Sequence, residues 1–252
     1  MTLARLAIVA IVALALGLVA LAGCARPGDW RSASREPVGL APEPARTPEA
    51  VVQVYSARTW GWRGAFGVHT WIAVKRTGAP RYTVYEVIGW RLRWSGSALV
   101  VSERPPDARW FGNAPEVVAE RRGEGVDALI ARIDRAARAY PYATEYVVWP
   151  GPNSNTFSAF VARAVPELQV DLPPTAIGKD YLGDRFVAPT PGGGYQLSIG
   201  GVFVVMASRV EGFEVNLLGL TFGIDPFSPA LKLPFVGRLG PARSNGGLSK
   251  QL

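Results

Sequence analysis

Three side chains have the types and the order that acyl-transfer chemistry requires: His69, Glu86 and Ser154. His69 is the only histidine in the 252 residues. A hydroxyl nucleophile needs a base within hydrogen-bond reach, so serine chemistry in this chain must run through that one imidazole. The stretch "GVHTWIAVKR" (67–76) is rich in β-branched and aromatic residues and predicts a strand on which His69 shares a face with Trp71 and Ala73. Glu86 lies among apolar residues in "YTVYEVIGW", where an unpaired carboxylate is costly to bury. A hairpin turning near Gly78 and Ala79 brings it opposite His69 or Trp71, and a one-residue slip moves it to the other face. Alone, Glu86 would pair with an arginine such as Arg91 or Arg93.

Ser154 belongs to "WPGPNSNTFSAF" (149–160). Pro150 and Pro152 disfavour helix up to Gly151, and a polar residue after them suits a helix start, where its side-chain oxygen accepts from a free backbone N–H. Asn153, Ser154 and Asn155 can each take that capping role. Ser154 precedes Phe157 by three residues and Val161 by seven, which puts it on the inward face of the helix. Two readings of this serine stand side by side: a helix cap, or a nucleophile. In the second, His69 is the general base, Glu86 orients it, and first-turn N–H groups form an oxyanion hole. The ligand-binding candidates are Trp71, Asn153, Asn155 and Lys179, the last in the Pro- and Gly-rich loop "DLPPTAIGKDYLG" and suited to an anionic group. "RWFGN" (109–113) offers an aromatic wall.

The elements that must position these groups follow from the apolar pattern. "VVQVYSA" (51–57), 67–76 and "RYTVYEVIGWRLRW" (81–94) predict an antiparallel meander, with "SALVVSER" (97–104) as a fourth strand. In "EGVDALIARIDRAARAY", Val126, Leu129, Ile130, Ile133, Ala137 and Tyr140 recur at the spacing of one buried helical face, and Pro141 ends it. "EYVVW" (145–149) predicts a short strand before the second helix. Residues 195–225 predict two or three further strands, buried in a sheet rather than facing a membrane, because no stretch is long and charge-free enough to span. The fold class expected is α+β: an antiparallel sheet or open barrel packed on two helices, in one domain over 51–240, followed by a flexible tail at 241–252.

The N-terminus has a different character. After Arg5, an apolar run from Leu6 to Ala22 leads into "LAGC" (21–24). That ending resembles the lipobox of bacterial lipoproteins, in which cleavage before the cysteine leaves a lipid-modified thiol. The resemblance implies a signal peptide at 1–23, lipidation of Cys24 and, with Ala25 next, an outer-membrane anchor on the periplasmic face. Cys24 is the sole cysteine, so a lipidated chain has no thiol for a disulfide, metal site or nucleophile, and no cofactor or metal is expected. Residues 24–50 are Pro-rich and read as a tether. The formal charge of +7 is scattered among acids, which argues against nucleic acid and for a modest attraction to anionic headgroups or envelope polymers. The membrane is thus the expected partner, through the lipid on Cys24, with peptidoglycan or lipid as ligand.

The order His, strand acid, then nucleophile at a later helix start resembles permuted papain-like families, including NlpC-type envelope hydrolases and PPPDE peptidases. In the latter the catalytic motif is close to Asn-Cys-Asn-x-Phe; "NSNTF" (153–157) is similar to it with Ser154 at the cysteine position, the one departure. A wider set of segments, from "DWRSASRE" through "YPYATEYVVWPGPNSNTF" to "EVNLLGLTFGIDP", resembles a bacterial domain-of-unknown-function family. The resemblances imply either a hydrolase or acyltransferase acting on an amide or ester of the envelope, or an inactive papain-like module that binds an envelope ligand or partner.

Overall fold

A computed structural model describes residues 29–241. The expected signal peptide, the Cys24 lipidation site and all but the first residue of the C-terminal tail lie outside the described residues. The fold is α+β and dominated by two separate antiparallel sheets. Among the described residues it has one sheet more than expected and no barrel.

The first sheet has the order β4-β3-β2-β1-β5. Its strands are β1 (Val51–Arg58), β2 (Val68–Lys75), β3 (Thr83–Val87), β4 (Leu99–Ser102) and β5 (Glu116–Arg122). Helices α1 (Val126–Arg138) and α2 (Ser154–Ala164) cover one face. There Val52, Val54, Ile72 and Val74 meet Ile130, Ile133, Phe157 and Val161 in a common core. Each apolar position that the α1 spacing singled out is buried.

The other face is roofed by residues 29–50 and the 103–114 loop, which is why β2 is buried along its whole length. Asp107 accepts from the N–H groups of Leu40 and Ala41, Tyr82 donates to the Pro42 carbonyl, and Pro37 bridges to Ala108. Trp30 packs on Phe111 at 6.3 Å between ring centroids. From Asp29 onward the expected tether is therefore part of the folded body, held by hydrogen bonds that satisfy its backbone rather than by any apolar period.

Two predicted strands fall short. The third ends at Val87, and Gly89–Arg91 and Leu92–Ser95 turn as short helical pieces. "EYVVW" forms no strand, because the Val147 N–H closes on the Pro152 carbonyl within its own loop at 2.8 Å instead of joining a sheet.

The second sheet is an up-and-down meander in chain order, β6 to β12: Val187–Pro189, Gly194–Ile199, Phe203–Ser208, Gly212–Leu217, Leu220–Asp225, Ala230–Leu233 and Gly237–Leu239. Strict alternation gives it two unlike faces. The face toward the body carries Gln196, Ser198, Glu214, Asn216, Thr221, Asp225 and Lys232, all buried. The outward face is apolar throughout and exposed, while Ala188, Val204 and Met206 are the apolar residues at inward parity. Burial of the apolar side, the sequence expectation for 195–225, is thus reversed.

Asn153 is the cap of α2. Its Oδ1 accepts from the N–H groups of Asn155 and Thr156, and Thr156 Oγ1 returns a bond to the Asn153 N–H, a complete capping box. Its Nδ2 donates to the carbonyls of Val148 and Ile177 at 3.0 Å each. Asn153→Ala removes the cap and takes the side-chain donor from the Val148 carbonyl, while the Ile177 carbonyl keeps Asn155, so urea unfolding should show a loss of about 1–3 kcal/mol with an unchanged m-value.

Candidate functional site

Antiparallel pairing places Glu86 directly across from Trp71, so His69, Trp71 and Glu86 share one face of the first sheet. His69 Nε2 lies 3.1 Å from Glu86 Oε2, and Arg104 Nε donates to Glu86 Oε1 at 3.0 Å. The partner cation is thus Arg104 rather than Arg91 or Arg93. Register explains it: β4 pairs Ser102 with Val84 and Val100 with Glu86, so Arg104, two residues on, shares that face and reaches back. Burial alone would raise the Glu86 carboxyl, but the His69 hydrogen bond and the Arg104 charge outweigh it and hold the group down at about 2. Burial pushes His69 below its usual range, against the opposing hydrogen bond and charge of Glu86. The imidazole is therefore neutral near pH 7 and donates from Nε2 to an ionised Glu86.

The rest of the His69 ring is covered. Trp110 stacks on it at 3.6 Å, 11° from parallel, and Trp90 stacks on Trp110 at 5.8 Å. Trp71, expected to meet a ligand, is fully buried, stacks on Tyr55 and donates its Nε1–H to the Pro106 carbonyl at 2.7 Å. The aromatic wall foreseen at 109–113 is a lid on the histidine.

Ser154 belongs to the opposite side of the sheet. The β2 residue that faces the start of α2 is Thr70, whose Oγ1 contacts the Ser154 carbonyl, Asn155 Oδ1 and Ser158 Oγ at 3.2, 3.1 and 2.8 Å. Its neighbour His69 must then point through the other face, because successive strand side chains alternate. The expected His69–Glu86–Ser154 triad is not assembled: the structure joins the first two and separates the third. The oxyanion hole is filled as well, since Asn153 Oδ1 takes the N–H groups of Asn155 and Thr156 at 2.9 and 3.2 Å. Asn155 is a fastener too, donating to the Val68 and Ile177 carbonyls at 3.1 and 2.8 Å. Gly178 is required beside it: φ is +91°, and a Cβ would sit 2.4 Å from Asn153 Nδ2.

Lys179 also departs from expectation. It is buried and bonded to Glu214, with Asp180 at 3.7 Å, so its charge is already matched. Burial would lower its pKa, but the surrounding carboxylates raise it instead. Lys232 completes the web, bridging Glu214 at 2.7 Å and Asp171 at 2.5 Å. Glu214, Gly223 and Lys232 lie side by side on three adjacent strands. A Cβ on Gly223 would come within 2.9 Å of Glu214 Cγ, so only glycine lets the two charges meet over the strand between them. The sequence gives one signal of this web: Glu214 and Lys232 are charges at inward parity on strands whose other parity is wholly apolar.

Beside the web, a cleft of about 300 Å³ opens between the two sheets, lined by Glu116, Gln169, Asp171, Lys232 and Arg238. Among the described residues no group of three or more His, Cys, Asp or Glu could hold a metal ion.

These features define a two-sheet α+β protein with a buried ionic junction and a sealed histidine. The family described as a protein of unknown function, DUF3750, matches residues 49–181, more than half of the chain, and the chain belongs to that family. The match covers the first sheet, both helices and Lys179, and stops before β6. No curated protein and no solved structure matches the chain.

Glu211 is buried in the β8–β9 turn, among the charges of the web. Burial raises its carboxyl to about 8, Lys179 opposes the shift, and Glu214, Asp171 and Asp180 reinforce it. A folded-state pKa above the unfolded one means that the stabilising proton is present below about 4.5 and is lost as pH rises through about 8. Wild type should therefore weaken across that window, and Glu211→Gln should flatten the slope and gain on the order of 4 kcal/mol at pH 8, measured by urea midpoints at each pH.

Proposed function

We propose that this chain is a lipid-anchored module of the bacterial cell envelope, on the periplasmic face of the outer membrane, that binds a ligand or partner and does not catalyse. The observation that carries the non-catalytic half is the sheet parity at β2: Thr70, not His69, faces the start of α2. A serine without a base in reach is a poor nucleophile near neutral pH. The filled first-turn N–H groups and the matched charge of Lys179 support the same reading. On this reading the permuted papain-like likeness concerns layout, a helix start held against an antiparallel sheet, and the motif position of Ser154 is kept as a packed polar residue.

The lipobox-like Leu21–Cys24 supports the anchor. Ligand binding falls most naturally to the polar cleft between the sheets, where Glu116, Gln169 and Arg238 offer acceptors and donors to a small polar segment such as a peptide or sugar of the envelope.

A fluorophosphonate probe should label wild type no more than Ser154→Ala. In Ser154→Cys, with Cys24 replaced by Ser to leave one thiol, iodoacetamide should react at the rate of an ordinary buried thiol at pH 7. A thiolate alkylated rapidly at neutral pH would place a base beside residue 154 and restore the enzyme reading. The anchor has its own check: radiolabelled palmitate should enter wild type and not Cys24→Ser.

A further inference from the structure

The outward face of the second sheet is built like a surface that does not meet water. Every side chain that β7 to β11 present outward is apolar or aromatic, including Tyr195, Leu197, Phe213, Val215, Phe222 and Ile224, each between 43% and 69% exposed. Charged residues on those strands all point inward. Four strands of six residues and the four-residue β11, at ~3.3 Å per residue and ~4.8 Å between strands, make a plate of about 20 by 24 Å. A footprint of that size is at the upper end of the continuous apolar patches, a few hundred Å², that soluble monomers expose.

The turns at one end extend the same character: Leu218, Phe235 and Val236 are exposed, and Trp149 lies against the Gly219 turn. Exposed tryptophans at the rim of an apolar surface are the mark of a bilayer interface. From that rim a run of ring contacts leads back toward the start of the folded chain: Phe235 to Phe66 at 5.1 Å, Phe66 to Trp62 at 6.0 Å, and, two residues before Trp62, Trp60 to Phe111 and Phe111 to Trp30.

Position argues for lipid as the occupant. Cys24 precedes Asp29 by five residues, a reach of at most ~18 Å, and Trp30 is already packed on the body. A chain anchored at Cys24 has no slack to lift its domain away from the membrane. The sheet does not span: six-residue strands fall short of the ~9–11 that a membrane strand needs, and its other face is packed on protein. No described helix is long and apolar enough to cross a membrane either.

We infer that the outward face of β7–β11 lies flat on the phospholipid bilayer that holds the N-terminal anchor, with its aliphatic and aromatic side chains in the headgroup–acyl boundary. The inference rests on the anchor reading for the proximity of the membrane, and the test separates the two.

The full chain carrying Val215→Cys is labelled with the fluorophore NBD and reconstituted in phosphatidylethanolamine–phosphatidylglycerol vesicles with brominated acyl chains. The label at 215 should be blue-shifted and quenched several-fold relative to unbrominated vesicles, unchanged in 0.5 M salt. A label at Arg135→Cys, on the exposed side of α1, should stay unquenched. Adding Phe222→Asp, with near-UV circular dichroism verifying the fold, should cut the quenching at 215 several-fold.

A water-like, unquenched label at 215 overturns the inference. So does a blue-shifted label that bromine does not quench and that changes with protein density, which assigns the face to a second copy of the chain. One NBD per chain by mass means that Cys24 is blocked; two mean that Cys24 is free and the anchor reading alone has failed, whatever the quenching shows.

Discussion

Two lysines from different parts of the chain hold one glutamate: Lys179, at the end of the loop after α2, and Lys232, on β11, both bond Glu214, and Lys232 carries the contact on to Asp171. This junction attaches the second sheet to the 169–186 loop that follows α2, and the other features of that sheet follow from it. A buried charge must be paired and fully hydrogen-bonded, so the inward face is given over to Gln196, Ser198, Asn216 and Asp225 as well. Apart from Ala188, Val204 and Met206, the apolar residues of these strands are thereby displaced to the opposite parity. A buried ionic web of this sort adds little net stability over an apolar joint, but removing one member leaves an uncompensated charge at a cost of about 3–5 kcal/mol. What it does supply is a single admissible register, since Glu214, Gly223 and Lys232 have to align across three strands.

The His69 cluster obeys the same rule in the first sheet. Glu86 is neutralised by Arg104 and satisfied by His69, and the Trp110 lid keeps water from the imidazole. An imidazole whose pKa is depressed and whose ring is stacked face to face has no open side for a substrate. Its chemistry is spent on holding a carboxylate under the roof formed by residues 29–50 and the 103–114 loop.

Much of the first sheet was legible because its periodicities obey ordinary burial. The α1 face, β1, β2, and the approach of Glu86 to His69 all follow from apolar spacing and a short hairpin. The position of Ser154 relative to His69 was not legible, since it depends on which parity of β2 faces α2, and both parities of that strand are apolar enough to be buried. Arg104 escaped notice because it acts from beyond the end of β4. The second sheet misled for a clearer physical reason: alternation reveals that a strand has two faces, and the usual rule that the apolar one turns inward fails where charge does the joining. The N-terminal segment carries no periodic signal, since its backbone is tied down by single bonds to Asp107 and Tyr82.

That segment also separates two notions of a unit. Family likeness begins at residue 49 and ends at 181, yet the sheet inside those limits is roofed by residues 29–42 and tied through Lys179 to Glu214. The stretch that relatives share in sequence is therefore not one that closes upon itself. Its hydrophobic interior is completed by flanks on both sides, which supply the seal and the counter-charge.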